Sequence, residues 1–239
     1  MSSADSVMKV VHDVEALMLA HFRGVPFHNL RLMYGPEVAQ KVSGGTCSDK
    51  TLAFIDDAIR AGFDVSLHSG FIGGREIHRL ARVRIGTETF FADVGNGWPA
   101  LRLYPARNPI KFRCFGMGFR TEISAGRIAV FHEKRGEEAL QLEIDLLCRS
   151  EAEIRADIDR RFSSGIVYPF SNSLRFSQIV GDRFLFLRGD RLDIYSESGF
   201  DCVEGITKAQ VPLILLEHFG CDLRPVLHGK SPAPAGDGE

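Results

Sequence analysis

Three residues of this 239-residue chain have the types that nucleophilic catalysis needs: Cys47, His78 and Asp93. Cys47 ends the run Ser43-Gly44-Gly45-Thr46-Cys47 and opens a stretch of helical periodicity. Its sulfur therefore sits beside the N–H groups that a helix leaves without acceptors in its first turn, a position that favours a thiolate. A lone cysteine is most often a small buried hydrophobe, but two preceding glycines mark a close backbone approach at the thiol. A thiolate nucleophile needs a base. Among eight histidines, His78 lies on an apparent strand, 77 to 85, which Gly86-Thr87 folds back onto 88 to 94, and Asp93 lies near the end of that returning strand. With Ile85 and Glu88 flanking a two-residue turn, Leu80 faces Asp93 and His78 faces Gly95. His78 and Asp93 are then diagonal neighbours on one face, and a one-residue slip would separate them. A carboxylate there fixes the imidazole tautomer and supports its charged form. Nucleophile, base and orienter thus have a physical route to one site.

The elements that must hold these residues can be read from periodicity. Val7, Val11, Val14, Leu17 and Met18 predict a helix over 5–22, closed near Gly24 and Pro26. Leu52, Ile55 and Ile59 predict a second over 47–62, with Gly62 as its left-handed cap. From Phe63 the texture becomes short Val-, Ile- and Phe-rich runs, which predict strands at 63–69, 77–85, 88–94, 111–117, 127–132, 140–145, 184–188 and 191–196. Gly86-Thr87 and Gly189-Asp190 are expected hairpin turns. Further helices are expected at 151–162 and from Thr207 to Phe219, the latter blurred by Pro212. The expected class is α+β: an N-terminal helical bundle, a central antiparallel β-barrel-like sheet and a smaller α/β C-terminal lid. The expected divisions are a helical segment over 1–62 carrying the nucleophile and a β segment over 63–150 carrying His78 and Asp93. A lid over 151–228 and a disordered tail over 229–239 follow.

Composition narrows the function classes. With 29 basic and 31 acidic side chains, 44% hydrophobic and 25% charged residues, the chain has no global field of the kind nucleic acid or an acidic membrane attracts. No apolar run approaches the ~20 residues of a membrane span, and the N-terminus lacks the marks of a signal peptide. Cys47, Cys114, Cys148, Cys202 and Cys221 are odd in number and widely spaced, which argues against a disulfide framework or a structural metal site and for a reducing cytoplasm. Gly95-Asn96-Gly97 is not a dinucleotide fingerprint, having neither the third glycine nor a following helix.

Taken in order along the chain, the motifs resemble those of the arylamine N-acetyltransferases. Val25-Pro26-Phe27-His28-Asn29-Leu30 resembles that family's Pro-Phe-Glu-Asn-Leu element, Gly44-Gly45-Thr46-Cys47 its Gly-Gly-x-Cys motif, and Asp93-Val94-Gly95-Asn96-Gly97 its Asp-Val-Gly-x-Gly element, with His78 in the place of its histidine. The resemblance spans residues 7 to 220 and is strongest over 25 to 99. It implies ping-pong acyl transfer from a thioester, acetyl-coenzyme A or another acyl-coenzyme A, through acyl-Cys47 to an amine, with no metal. His78 would move the proton, Asp93 would hold His78, and backbone N–H groups near Cys47 would stabilise the oxyanion.

The chain also departs from the family pattern. Ser43 stands for an arginine, Ser48 and Asp49 for an aromatic residue and a glutamate, Asn96 for a pocket phenylalanine and His28 for the glutamate of the first element. Part of the N-terminal segment that normally precedes that element is missing too, which would open the site or leave it to a partner. Phe27, Ser48 and Asn96 are the expected pocket residues. Losing aromatic surface worth roughly 25 cal/mol per Å² alters substrate choice, so the expected acceptor is an amine other than a simple arylamine. Between Gly95 and Thr121 there are five basic residues and no acid; Arg102, Lys111 and Arg113 are candidates for the coenzyme A phosphates. The competing readings are an amide synthase fed by an acyl carrier protein, a cysteine hydrolase or transglutaminase-like enzyme, and a non-catalytic relative. The oligomeric state is not readable from the residues.

Overall fold

The structure, a computed structural model, describes residues 3–147, 149–161, 168 and 170–227. The expected tail over 229–239 and Cys148 lie outside the described residues. Helix α1 (Ser3–Gly24) buries Val14, Met18 and Phe22, one residue per turn, against the core. The two-residue strand β1 (Phe27–His28) and the short helices α2 (Leu30–Tyr34) and α3 (Pro36–Ala39) lead to α4 (Cys47–Arg60). The Lys50 ammonium of α4 donates to the Val25 carbonyl just beyond α1, a favourable place for a cation at a helix C-terminus. Phe54, Ile55 and Ala58 form the buried face of α4, and Ile59 is exposed. The expected stripe through Leu52, Ile55 and Ile59 is therefore rotated by part of a turn. Gly62, at φ 87°, ends the helix as expected, with the Phe63 N–H bonded back to Ala58.

The middle of the chain forms β2 (Asp64–Ile72), β3 (Arg75–Ile85), β4 (Glu88–Ala92), β5 (Tyr104–Pro105), β6 (Lys111–Cys114), β7 (Met117–Ser124), β8 (Arg127–Lys134) and β9 (Glu137–Asp145). These make one antiparallel eight-stranded sheet in the order β5-β4-β3-β2-β9-β8-β7-β6. The sheet is open, with β5 and β6 at its edges. Its concave apolar residues, including Leu80, Val83, Phe91, Val130 and Ile144, pack with α1 and α4 in the larger core. The run 111–117 is not one strand, because Phe115 (φ 50°) and Gly116 (φ 71°) form a turn that splits it into β6 and β7.

Helix α5 (Glu151–Arg160), whose Ser150 accepts from the Glu153 N–H as a cap, precedes β10 (Arg175–Val180), β11 (Arg183–Arg188), β12 (Arg191–Ser196) and β13 (Gly199–Val203). Helices α6 (Val211–Phe219) and α7 (Arg224–Leu227) follow. Pro212 lies in the first turn of α6, where a missing N–H costs no helical bond; the residues before it, 207–210, form a turn in which Gln210 Oε1 accepts from Thr207. The second sheet runs β1-β10-β11-β12-β13. Its first strand comes from the N-terminal segment, with Phe27 opposite Ser177 and His28 opposite Phe176. The C-terminal sheet is thus stitched to the segment that precedes the nucleophile. No helix among the described residues is long and apolar enough to cross a membrane.

Candidate active site

The Gly44-Gly45 turn exists to let the chain cross itself. At Gly44 (φ 89°) a Cβ would lie 2.1 Å from the Pro26 carbonyl oxygen, and at Gly45 (φ 143°) 2.5 Å from the Asp49 carboxylate. Only glycine fits either place. The Pro26–His28 strap lies in that space: the His28 N–H donates to the Gly45 carbonyl at 2.8 Å and the Gly45 N–H to the Pro26 carbonyl at 3.3 Å. Beyond the turn, Asp49 Oδ2 accepts from both the N–H and the hydroxyl of Thr46 at 2.9 Å, while its other oxygen holds Arg161. The start of α4 is therefore fixed on three sides, with Cys47 as its first residue.

Strand β3 carries His78, and the two-residue turn after it sets the register that the sequence predicts, Ile85 opposite Glu88 and Ala81 opposite Ala92. The ladder stops there. Leu80 and His78 have no strand partners at 93 and 95; His78 pairs instead with Gly70 of β2. Asp93 nonetheless reaches the imidazole, whose Nε2–H donates to Asp93 Oδ1 at 2.6 Å. The Cys47 thiol, 3.7 Å from the Ile77 carbonyl oxygen, is hydrogen-bonded to the His78 ring. All three side chains are buried. Burial alone opposes each charge, but the pairing prevails. Hydrogen bonding and attraction to His78, aided by Arg79, hold the Cys47 thiol below its ordinary value, and the Asp93 charge and hydrogen bond push His78 up to about 10. His78 and Asn96 in turn hold the Asp93 carboxyl low. The resting state is a thiolate–imidazolium–carboxylate array.

Neighbours fix this array. Asn96 Nδ2 donates to Asp93 Oδ2 at 2.8 Å, and its Oδ1 accepts from the Trp98 N–H at 3.1 Å. Thr51, on the turn of α4 after Cys47, donates to the Arg79 carbonyl at 2.9 Å. Gly95 lies where α4 and β3 meet, so close that a Cβ would be 2.5 Å from the Arg79 carbonyl oxygen and 2.9 Å from that of Cys47.

Cys47 borders two cavities. The first, about 240 Å³, is walled by Phe27, Trp98, Phe170 and Phe186, with Arg175 and Arg188 among its polar groups. The second, about 350 Å³, is polar and lies between Ser48, Glu76, Arg79, Asp157, Arg161 and Tyr168. Its charges are paired, as in Arg161 with Asp49 and Arg149 with Glu76 and Asp157.

Of the pocket residues read from the sequence, Phe27 and Asn96 line the first cavity and Ser48 the second. Asn96 also does what its type alone did not announce, anchoring the triad acid. The three cations assigned to phosphates do not converge on Cys47. Arg102 is bound to Glu15 at 2.6 Å, Arg113 lies 3.5 Å from Glu133 and bonds the Gly116 carbonyl, and Lys111 is exposed on an edge strand. None of them lines either cavity. Sequence reasoning missed Asn29. Fully buried, it donates to the carbonyls of Phe170 and Ser173 at 2.6 and 2.8 Å and accepts from the Arg175 N–H at 2.7 Å, tying the cavity wall to the strap. It also missed Arg175 and Arg188, since β10 carries no clear strand signal.

No protein-family model and no curated protein matches this sequence. Its fold does match solved structures. The arylamine N-acetyltransferase of Nocardia farcinica superposes with a TM-score of 0.75 at 22% identity, over 89% of this chain and 84% of that one. The Mycobacterium tuberculosis arylamine N-acetyltransferase gives 0.76 at 18% identity, over 90% and 88%. The Mycobacterium marinum protein in complex with CoA gives the same values. The chain has the arylamine N-acetyltransferase fold.

Proposed function

We propose that the protein is a cysteine acyltransferase that moves an acyl group from a thioester, through acyl-Cys47, to an amine. The observation that carries this reading is the buried, hydrogen-bonded series Cys47–His78–Asp93 at the junction of two cavities. The fold it shares with arylamine N-acetyltransferases, one of them solved with CoA, supports an acyl-coenzyme A donor. The Cys47 thiolate attacks the thioester carbonyl, and the tetrahedral oxyanion is held by N–H groups of the first turn of α4 that have no helical acceptor. Collapse breaks the carbon–sulfur bond to the donor, whose thiolate takes the proton of His78. An amine then attacks acyl-Cys47, His78 accepts its proton, and the amide leaves as the thiolate is restored. Asp93 keeps the imidazole in the one tautomer that faces sulfur.

Two cavities meeting at one sulfur suit two substrates in turn. Arg102 and Arg113 could meet donor phosphates only by releasing the groups they now hold, so they are weak candidates beside Lys111. The C-terminal segment contributes Phe170, Arg175, Phe186 and Arg188 to the wall of the first cavity, which supports a specificity role for it. The free Cys47, Cys114, Cys202 and Cys221 support action in a reducing cytoplasm.

The test is intact-protein mass spectrometry after incubation with acetyl-coenzyme A and longer acyl thioesters, alongside Cys47→Ala. A gain of one acyl group, absent from the variant and discharged faster by amines than by water, is expected. Discharge by water alone would make the protein a hydrolase, a donor accepted only on a carrier protein would make it an amide synthase, and no adduct from any thioester would overturn the reading.

A further inference from the structure

We infer that Arg175 and Arg188 make the first cavity selective for a substrate that carries a carboxylate on a single aromatic ring. The walls provide the ring site: Trp98 and Phe186 meet edge to face at 4.8 Å, and Phe27 and Phe170 at 5.7 Å. At about 240 Å³ the space is at the small end for a ligand pocket. The carboxylate assignment comes from the sheet. Arg175 and Arg188 are directly opposite one another in the β10–β11 ladder, and like charges in that relation are destabilising. Such a pair is retained at a cost that an anion between them would remove.

Neighbouring acids do not remove it. Arg188 gives its Nη2 to Asp193, an acid it shares with Arg191, and its Nε is buried without an acceptor. The half-buried Arg175 side chain has no hydrogen-bond or ion-pair partner among the described residues. A third cation, Lys134, lies 4.0 Å over the Trp98 ring, with Arg188 5.7 Å from it. Burial and the nearby Arg188 lower the pKa of Arg175 and bring that of Lys134 to about 8, the response of cations crowded without counter-charge. Planar guanidinium forks match a carboxylate bidentately. Applied to the acyl transfer proposed above, on which the ligand's role rests, the preferred acceptor is an aromatic amine bearing an acid group.

Trp98 is the only tryptophan of the chain, so its fluorescence reads this cavity without turnover. Titration with 4-aminobenzoate and with its neutral isostere 4-aminobenzamide should show the acid binding roughly 10- to 100-fold tighter, the range of a charge-assisted hydrogen bond. Arg175→Gln should bring that ratio close to one, and Arg175→Lys should restore part of it. Discharge of acyl-Cys47 by the same two amines should follow the same ratio in kcat/KM. Equal binding of acid and amide by the wild type, or displacement of 4-aminobenzoate by inorganic phosphate at matching concentration, overturns the inference even where acyl-Cys47 forms normally. Selective binding of the acid without any acyl-enzyme supports the anion site and overturns the acyltransferase reading.

Discussion

Asn96→Ala removes one hydrogen bond and leaves Cys47, His78 and Asp93 chemically intact. The lost donor lies 2.8 Å from Asp93 Oδ2, and Asp93 is fully buried, so solvent does not replace it freely. A hydrogen bond to a charged group contributes about 1.5–3 kcal/mol. The sign follows from the chain of dependence. Without the Asn96 donor the Asp93 pKa rises and its carboxylate supports the imidazolium less, so the His78 pKa falls from about 10 and that of Cys47 rises. The thiolate–imidazolium pair exists between those last two values, and the window narrows from both ends. At the lower bound of 1.5 kcal/mol, acylation of Cys47 should slow about tenfold. The assay is the rate of iodoacetamide alkylation of Cys47 as a function of pH, read by mass spectrometry, with acylation by thioester beside it. The acid limb of the alkylation profile should move to higher pH in Asn96→Ala, and further in Asn96→Asp, which sets a second carboxylate against Asp93. A merely structural role would change the thermal midpoint and leave that limb in place. An unmoved limb with acylation within about twofold of wild type would refute the reasoning.

Gly95→Ala should destabilise the protein by about 1–3 kcal/mol in urea unfolding and suppress the acyl adduct, because the new methyl would lie 2.5 Å from the Arg79 carbonyl oxygen and 2.6 Å from Thr51 Oγ1; wild-type stability would show that β3 and α4 separate easily. Lys50→Met tests a buried cation. Burial brings Lys50 from 10.5 to about 7, so between those values the unfolded chain binds a proton that the folded one has given up, and wild-type stability gains from this group as pH rises. The stabilisation of Lys50→Met over wild type should therefore be largest at or below about pH 7 and shrink toward about pH 10. A difference independent of pH would place a charged, compensated lysine there.

The triad was legible because its geometry is local. A two-residue turn fixes the register of β3 against β4, and Cys47 needs only a helix start behind two glycines. What needed the folded chain was long-range or side-chain specific. Phe27-His28 is too short to read as a strand, and its partner β10, Arg-Phe-Ser-Gln-Ile-Val, alternates poorly because Phe176 and Ser177 are both buried. With β10 unread, the facing arginines were invisible. Asn96 looked like lost apolar wall, yet an amide three residues after a buried acid was a readable sign of a local side-chain bond. The cations from Arg102 to Arg113 looked free because the stretch holds no acid of its own, whereas Glu15 and Glu133 come from α1 and β8. The departures at Ser43 and His28 are adjacent in space, with His28 Nε2 donating to the Ser43 carbonyl at 3.3 Å and burial lowering the His28 pKa to about 4. A position pair that is acidic and basic in the family is electrically silent here.

The stitching of β1 to β10 also has a consequence in time. Phe27 and its partner Ser177 are separated by about 150 residues, which a ribosome adds in roughly 8–30 s. Cys47, His78 and Asp93 emerge long before the strand that anchors the strap over Gly45, and before Phe170 and Arg175, which Asn29 clamps. During synthesis the nascent chain carries its nucleophile without the finished pocket, and the site closes only when the last sheet docks. Substrate-competent chains are then also completely folded chains, and a release factor or protease acting early meets a thiol that has not yet been armed.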